Sequence, residues 1–129
     1  MKKKVIGLID GQSGNIGSIV KAIKGIIKTR PYNLKIIDGN FDPLEFDKIL
    51  LPGQGAYATL ISNLKRLKIY NPLKKYLKNN SSYLGICVGM QILSDKGYED
   101  KVTEGLGIIS GEIKKFEKKN LIIPHMGWN

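Results

Sequence analysis

The sequence predicts an α/β protein with a mostly parallel, open sheet and helices on both of its faces. Two observations indicate this class. Short apolar, β-branched runs alternate with stretches in which apolar residues recur at helical spacing, and Gly, Pro or Asp signals separate the two kinds of segment. The 129 residues, 42% of them hydrophobic, supply enough apolar material for one core and too little length for two. We therefore expect residues 1–129 to form a single domain.

Strands and helices follow one another through the first three quarters of the chain. Strands are expected at residues 5–9, 34–37, 49–51 and 82–86, and helices at 15–28, 56–67, 71–78 and 88–94. In the third helix Asn71 is a suitable N-cap and Pro72 is typical of a first helical turn. The link formed by residues 38–47 is short for a right-handed crossover between parallel strands, which leaves its topology open.

The pattern changes after Lys101, where helical spacing is lost. Strands joined by tight turns are expected at residues 106–110, 112–116 and 121–123. The chain stops at Trp128 and Asn129, directly after an apolar segment and without a polar tail. Since a complete domain usually finishes at its surface, we expect this domain to be incomplete at its C-terminus.

The charge of the chain does not indicate a nucleic-acid-binding protein. The 21 basic residues outnumber 11 acidic ones and give a formal charge of +10. Only Arg30 and Arg66 carry the guanidinium fork that favours base and phosphate recognition. The lysines are scattered singly or in pairs without interleaved aromatic residues, so no basic stripe is formed.

Membrane, secretory, disulfide and metal-binding classes are also disfavoured. The longest apolar runs are about five residues, against the roughly 20 that a membrane-spanning helix needs. The run from Val5 to Ile9 is cut off by Asp10, which makes it shorter than a secretory signal's apolar region. A single cysteine, Cys87, and a single histidine, His125, build neither an internal disulfide nor a Cys/His zinc site. We expect a cytoplasmic protein with no metal and no cofactor.

The segment Gly85-Ile86-Cys87-Val88-Gly89-Met90-Gln91 lies where the fourth strand turns into a helix. It has the G-x-nucleophile-x-G form of a nucleophile elbow, with Cys in place of Ser. Free N–H groups at a helix N-terminus stabilise a thiolate, and the N–H of Val88 is a natural oxyanion donor. A lone cysteine is more often a small buried apolar residue, but this spacing favours Cys87 as a nucleophile.

The segment Leu51-Pro52-Gly53-Gln54-Gly55-Ala56-Tyr57-Ala58 forms a glycine loop between the third strand and the helix that follows it. The N–H of Gln54 or Gly55, at the carboxyl end of a neighbouring strand, is predicted to be the second oxyanion donor opposite Cys87. The same letters match a dinucleotide-binding fingerprint, but on the wrong strand and without the acidic residue that holds a ribose. A plain strand-to-helix turn is the remaining interpretation.

The last six residues, Pro124-His125-Met126-Gly127-Trp128-Asn129, combine an imidazole, a thioether, an indole and an amide. Because Met and Trp are enriched in interface cores, Met126, Trp128 and Asn129 are predicted to contact a partner. Two alternatives remain: Trp128 anchors a small core, or His125 serves as a catalytic base.

Together these segments resemble the glutaminase subunits of imidazole glycerol phosphate synthase, which are class I glutamine amidotransferases with a flavodoxin-like core. The resemblance begins at Asp10-Gly11-Gln12-Ser13-Gly14-Asn15 and continues through the glycine loop and the cysteine elbow. It ends in the terminal hexapeptide, which is the narrowest signal, and so covers essentially the whole chain.

The resemblance implies that Cys87 attacks the side-chain amide of glutamine, releases ammonia and leaves a thioester that water hydrolyses. It implies that Gly53 shapes the substrate pocket and that Gln91 binds the substrate. The ammonia would pass to a cyclase barrel, the expected partner subunit, which makes imidazole glycerol phosphate. The family's catalytic triad is completed by a His-x-Glu pair far downstream, which this sequence does not contain. A non-catalytic relic that only binds the partner therefore remains an alternative. A paralogue that supplies ammonia for sugar amidation is a second alternative, because the terminal hexapeptide resembles that group as well.

Overall fold

The main sheet consists of parallel strands whose carboxyl ends meet at one edge. The computed structural model describes residues 2–117, 119–125 and 127–128. Within these ranges the strands are β1 (Lys4–Ile9), β2 (Tyr32–Ile37), β3 (Lys48–Gly53) and β4 (Ser82–Cys87), in the order β2-β1-β3-β4. All three pairings are parallel. The predicted sheet is therefore confirmed, with strand ends displaced by one or two residues.

Helices cover both faces of this sheet, which also confirms the predicted fold class. They are α1 (Gly17–Ile27), α2 (Tyr57–Arg66), α3 (Tyr70–Lys78) and the single-turn α4 (Val88–Gln91). The short link between β2 and β3 carries only a 3-10 helix, Pro43–Glu45, in which Asp42 caps the first turn. That compact link allows β3 to return beside β1 and resolves the topology that the sequence left open.

The hydrophobic core lies between the sheet and helices α2, α3 and α4. Alternate strand positions face it, because side chains of a strand point to opposite faces in turn. The buried side chains that meet there include Ile9, Ile37, Ile49, Leu51, Tyr57, Leu60, Leu64, Ile69, Leu73, Tyr76, Val88 and Ile92. This layer fixes α4, and with it the end of β4, against the sheet.

The opposite face of the sheet is only partly covered by α1. Leu8, Leu50 and Leu84 are aligned across β1, β3 and β4, yet exposure rises from 0% at Leu8 to 56% at Leu84. A groove of about 320 Å³ runs between α1 and these strands. We call it the α1-side groove; its apolar lining is Ile6, Ile23, Ile26, Ile27, Leu50 and Leu84.

The last third of the described chain departs from the prediction. Its strands are only two residues long: β5 (Lys96–Gly97), β6 (Thr103–Glu104) and β7 (Glu112–Ile113). The predicted strand at 106–110 is wrong, because the N–H groups of Leu106, Gly107 and Ile108 donate to Ile92, Ser94 and Leu93 just after α4. The strand at 112–116 is reduced to β7, and residues 121–123 are exposed and form no strand.

The predicted helix at 88–94 is also shortened to α4. The carbonyl groups of residues 92–94, just after α4, accept the bonds from residues 106–108, so the helix stops where this segment docks. No helix in the described part of the chain is long and apolar enough to span a membrane.

Candidate active site

Cys87 lies at the turn between β4 and α4, as the sequence predicts. Its backbone has φ 55° and ψ −119°, a conformation that non-glycine residues seldom adopt, and its side chain is an exposed free thiol. Strained backbone of this kind persists only where the surrounding structure holds it, and it is concentrated at functional sites. The finding therefore favours the nucleophile interpretation over a buried structural cysteine.

The glycines on either side of Cys87 permit the sharp turn. A Cβ on Gly85 would lie 2.7 Å from the backbone nitrogen of Met90, closer than real Cβ atoms approach. A Cβ on Gly89 would collide with the carbonyl of Leu51 on the neighbouring strand. The first turn of α4 thus folds back onto both β4 and β3, and no larger residue fits at either position.

The glycine loop lies directly beside the elbow. Gly53 and Cys87 are paired in the parallel register of β3 and β4. A Cβ on Gly53 would lie 2.9 Å from the backbone nitrogen of Gly89 and 3.2 Å from the Cβ of Val88. The structure therefore brings Gly53 and Val88, two of the predicted site residues, into contact at the carboxyl edge of the sheet.

The N–H of Gln54 is engaged in this conformation. It donates to the carbonyl of Ser13 at 3.1 Å, which joins the glycine loop to the loop after β1. The two loops enclose a small cavity of about 40 Å³ lined by Asp10, Gly14 and Gln54, among others. Gly55 has φ 97° and directs the chain into α2. Gln54 can serve an oxyanion only if its bond to Ser13 opens, and the role of either donor stays a prediction.

Glu99 is a residue of this region that sequence analysis missed. One oxygen of its carboxylate accepts the N–H of Tyr57, the first residue of α2, at 2.7 Å. The N-cap residue Ala56 has no side chain that caps the helix, so a carboxylate from a distant segment satisfies the helix N-terminus. The sequence shows that Ala56 cannot cap α2 with its side chain. No local motif identifies Glu99 as the replacement, because it lies 42 residues from Tyr57.

Gln91, the predicted substrate-binding residue, and Glu99 line the same cavity. The cavity measures about 410 Å³ and is also lined by Asp100, Ile113, Lys114, Lys115 and Ile123. Lys114 forms an ion pair of 3.2 Å with Glu112, and a hydrogen bond from Lys114 is the main cause that lowers the pKa of that carboxyl. The cavity therefore presents carboxylate, carboxamide and ammonium groups together.

A buried tyrosine supports the wall of this region. The hydroxyl of Tyr57 shares a 3.0 Å hydrogen bond with Ser94, whose own hydroxyl donates to the carbonyl of Gln91 at 2.8 Å. Burial raises the pKa of the Tyr57 hydroxyl. This network ties α2 to the end of α4, next to Gln91.

The terminal segment is exposed where the structure describes it. Trp128 is 104% exposed, so it packs against no core within the described residues. His125 is exposed as well. Met126 and Asn129, the other two predicted contact residues, lie outside the described residues. Within the described ranges no three His, Cys, Asp or Glu side chains form a group that could hold a metal ion.

Comparison with curated proteins shows extended similarity to one family. The chain is 45% identical over 129 residues to imidazole glycerol phosphate synthase subunit HisH 1 of Campylobacter jejuni. It is 40% identical over 126 residues to the HisH subunit of Methanocaldococcus jannaschii. Each match covers 97% of this chain, and 61% and 60% of those relatives, so the chain spans about three-fifths of their length. It is also 34% identical over 126 residues to the chloroplastic hisHF protein of Arabidopsis thaliana, of which it covers 21%.

Solved structures support the fold independently. A protein described as a putative peptidase E from Listeria monocytogenes superposes with a TM-score of 0.62 at 16% identity, over 84% of this chain and 65% of that one. A glutamine amidotransferase superposes with a TM-score of 0.59 at 17% identity, over 88% and 59% of the two chains. No family model matches the sequence.

Proposed function

Because this chain belongs to the family of the HisH subunits of imidazole glycerol phosphate synthase, we propose that it carries the nucleophile half of a glutamine-hydrolysing site. The observation that supports this most strongly is the exposed thiol of Cys87 at positive φ, beside the glycine loop. An elbow of this shape presents a nucleophile at the carboxyl edge of a parallel sheet.

In the proposed reaction Sγ of Cys87 attacks the side-chain amide carbon of glutamine. The oxyanion formed there is stabilised by the N–H of Val88 and by one N–H of the glycine loop, from Gly55 or Gln54. The carbon–nitrogen bond then breaks, a proton reaches the nitrogen, and ammonia leaves a glutamyl thioester. Water hydrolyses the thioester to glutamate and returns the thiol.

We assign the amino-acid end of the substrate to the cavity that Gln91 and Glu99 line. Glutamine carries an ammonium and a carboxylate at its α-carbon, and the cavity offers groups of both signs. The Glu99 carboxylate is suited to the ammonium and the Lys115 ammonium to the carboxylate, as charge-assisted hydrogen bonds require. Gln91 lies about one helical turn after Cys87, where its amide is suited to hold the substrate near the thiol.

The released ammonia goes to a cyclase subunit that makes imidazole glycerol phosphate in histidine biosynthesis. The relatives are named as subunits of that synthase, which supports a complex, and we infer a heterodimer in the cytoplasm. We assign the partner contact to the terminal segment with Trp128, because Trp is enriched among the residues that carry binding energy at interfaces.

Ammonia release from glutamine tests this function. The purified chain is assayed alone and with a cyclase subunit, with Cys87→Ala as the matched control. Glutamine-dependent release that requires Cys87 supports the proposal and makes His125, the only histidine in the sequence, the candidate proton donor. Absence of release from folded chain with the cyclase present, together with no protection of Cys87 from alkylation by glutamine, contradicts the proposal.

A further inference from the structure

Tyr83 lies on the same face of β4 as Cys87. The two residues are four apart in the strand, and side chains two and four apart share a face, with Gly85 between them. Because Gly85 has no Cβ, the backbone of Gly89 and Met90 in the first turn of α4 packs directly against β4 at Gly85. The hydroxyl of Tyr83 is thereby brought under the backbone of Gly89, two residues after the thiol.

The Tyr83 hydroxyl donates to the carbonyl of Gly89 at 2.6 Å. In a regular α-helix that carbonyl would accept the N–H of Leu93, four residues on. Here the N–H of Leu93 donates to Met90 instead, because α4 ends after a single turn. The tyrosine hydroxyl therefore takes the place of the missing backbone donor.

This hydrogen bond is partly buried. Burial of the hydroxyl raises the pKa of Tyr83 well above its usual range. The bond joins residues six positions apart and so closes a loop that contains Cys87. Two contacts of Gly89 therefore hold the strained backbone at Cys87: the hydrogen bond from Tyr83 on β4 and the close approach to the carbonyl of Leu51 on β3.

We propose that Tyr83 is a positioning residue for the nucleophile: its hydroxyl holds the first turn of α4 so that Cys87 keeps its positive φ. Without the bond the turn relaxes, and the thiol moves away from the N–H of Val88. The inference rests on the proposed role of Cys87, but the hydroxyl acts on the geometry of the elbow and not on the substrate.

Tyr83→Phe removes only the hydroxyl and is the direct test. Tyr76→Phe is a matched control, since Tyr76 also donates to a backbone carbonyl six residues on, that of Ser82, at 2.9 Å. The readout is the rate at which iodoacetamide alkylates Cys87, measured across the pH range in which a thiol ionises. We expect Tyr83→Phe to slow alkylation about three- to tenfold, the range that one neutral hydrogen bond spans, and Tyr76→Phe to leave it unchanged.

Thermal melts of both variants separate positioning from stability. The proposal is overturned if Tyr83→Phe and Tyr76→Phe lower the melting temperature equally and Cys87 in both variants is alkylated as fast as in the unchanged chain. If Tyr83→Phe does not fold, the comparison is repeated with Gly25→Ala added to every chain, a substitution on the exposed side of α1 that meets nothing within 4 Å. Failure of the proposed function gives a different result from failure of this proposal. In that case Tyr83→Phe still slows alkylation, but added glutamine does not protect Cys87 from iodoacetamide in any of the chains.

Discussion

Gly53 and Cys87 are the last paired residues of β3 and β4. This single register pair places the glycine loop beside the thiol, although the two residues are 34 positions apart in the sequence. Parallel strands end at a common edge, so the two turns that follow them share one space. The candidate site is therefore a direct consequence of the strand order β2-β1-β3-β4.

Gly85→Ala is expected to destabilise the protein by about 1–3 kcal/mol, the usual cost of overpacking. The added Cβ meets backbone atoms of Gly89 and Met90, which cannot move aside as a flexible side chain could. Gly25→Ala is the control: it lies in α1 with open space around it, and we expect a gain of about 0.5–1 kcal/mol from helix propensity. Urea unfolding measures both changes, and equal effects of the two substitutions would contradict the close approach at the elbow.

Glu99→Ala is expected to lower the free energy of unfolding by about 0.5–2 kcal/mol, as loss of a helix cap does. The carboxylate accepts the N–H of Tyr57 at the start of α2, where Ala56 provides no cap. Asp100→Ala removes a neighbouring carboxylate and is expected to have a smaller effect. Chemical denaturation distinguishes the two, and a larger effect of Asp100→Ala would show that Glu99 does not cap α2.

The protein is expected to lose stability as the pH rises above about 10, the usual pKa of tyrosine. Burial raises the pKa of Tyr83 in the folded state, so at such pH the unfolded chain releases a proton that the folded chain keeps. The unfolded state then binds fewer protons, and the free energy of unfolding falls by up to about 1.4 kcal/mol per pH unit for this group. Below pH 10 both states are protonated and no loss is expected.

Tyr83→Phe tests the origin of this alkaline loss. Urea unfolding at neutral pH and at alkaline pH should show a shallower fall in stability for the variant than for the unchanged chain. Identical slopes would mean that other groups, such as Tyr57, Tyr70 and Tyr76, whose pKa values burial also raises, account for all of it.

Leu84→Lys is expected to reduce self-association of the isolated 129-residue chain. Leu84 is 56% exposed on the α1-side groove, next to other exposed apolar side chains such as Ile26 and Ile86. Contiguous apolar surface of this kind favours association. Leu44→Lys is the control, because Leu44 is 89% exposed in the 3-10 helix, away from the groove. Sedimentation measurements that show the same association for both variants would contradict a role of the groove.

Much of the fold could be predicted because apolar periodicity is a local signal. The runs that form β1 to β4 and the helical spacing of α1 each identify their element without knowledge of the rest. The segment 106–110 could not be predicted in this way, since Leu106 is buried and the N–H groups of residues 106–108 bond to the carbonyl groups of Ile92, Leu93 and Ser94, just after α4. A docked loop and a strand have the same composition, and only tertiary contacts distinguish them.

The candidate site was predictable to the same degree. The positions of Cys87, Val88 and Gly53 at neighbouring strand ends could be predicted because the elbow and the glycine loop are sequence motifs, whereas their roles stay predictions. Glu99 and Tyr83 carry no motif: each acts through one hydrogen bond to a backbone group, of Tyr57 and Gly89 respectively. Such partners are set by the packing of distant segments, which the sequence pattern does not reveal.

The most direct test of the central claim is covalent labelling of Cys87 by a chloroketone analogue of L-glutamine, in which the ketone replaces the side-chain amide. Sγ displaces chloride, so labelling needs both a reactive thiol and recognition of the amino-acid end, but no ammonia release. We expect one adduct, on Cys87, that L-glutamine prevents and that the D-enantiomer of the reagent forms much more slowly. Equal labelling by both enantiomers, or no adduct on a folded chain whose Cys87 iodoacetamide still alkylates, would contradict a glutamine site at this elbow.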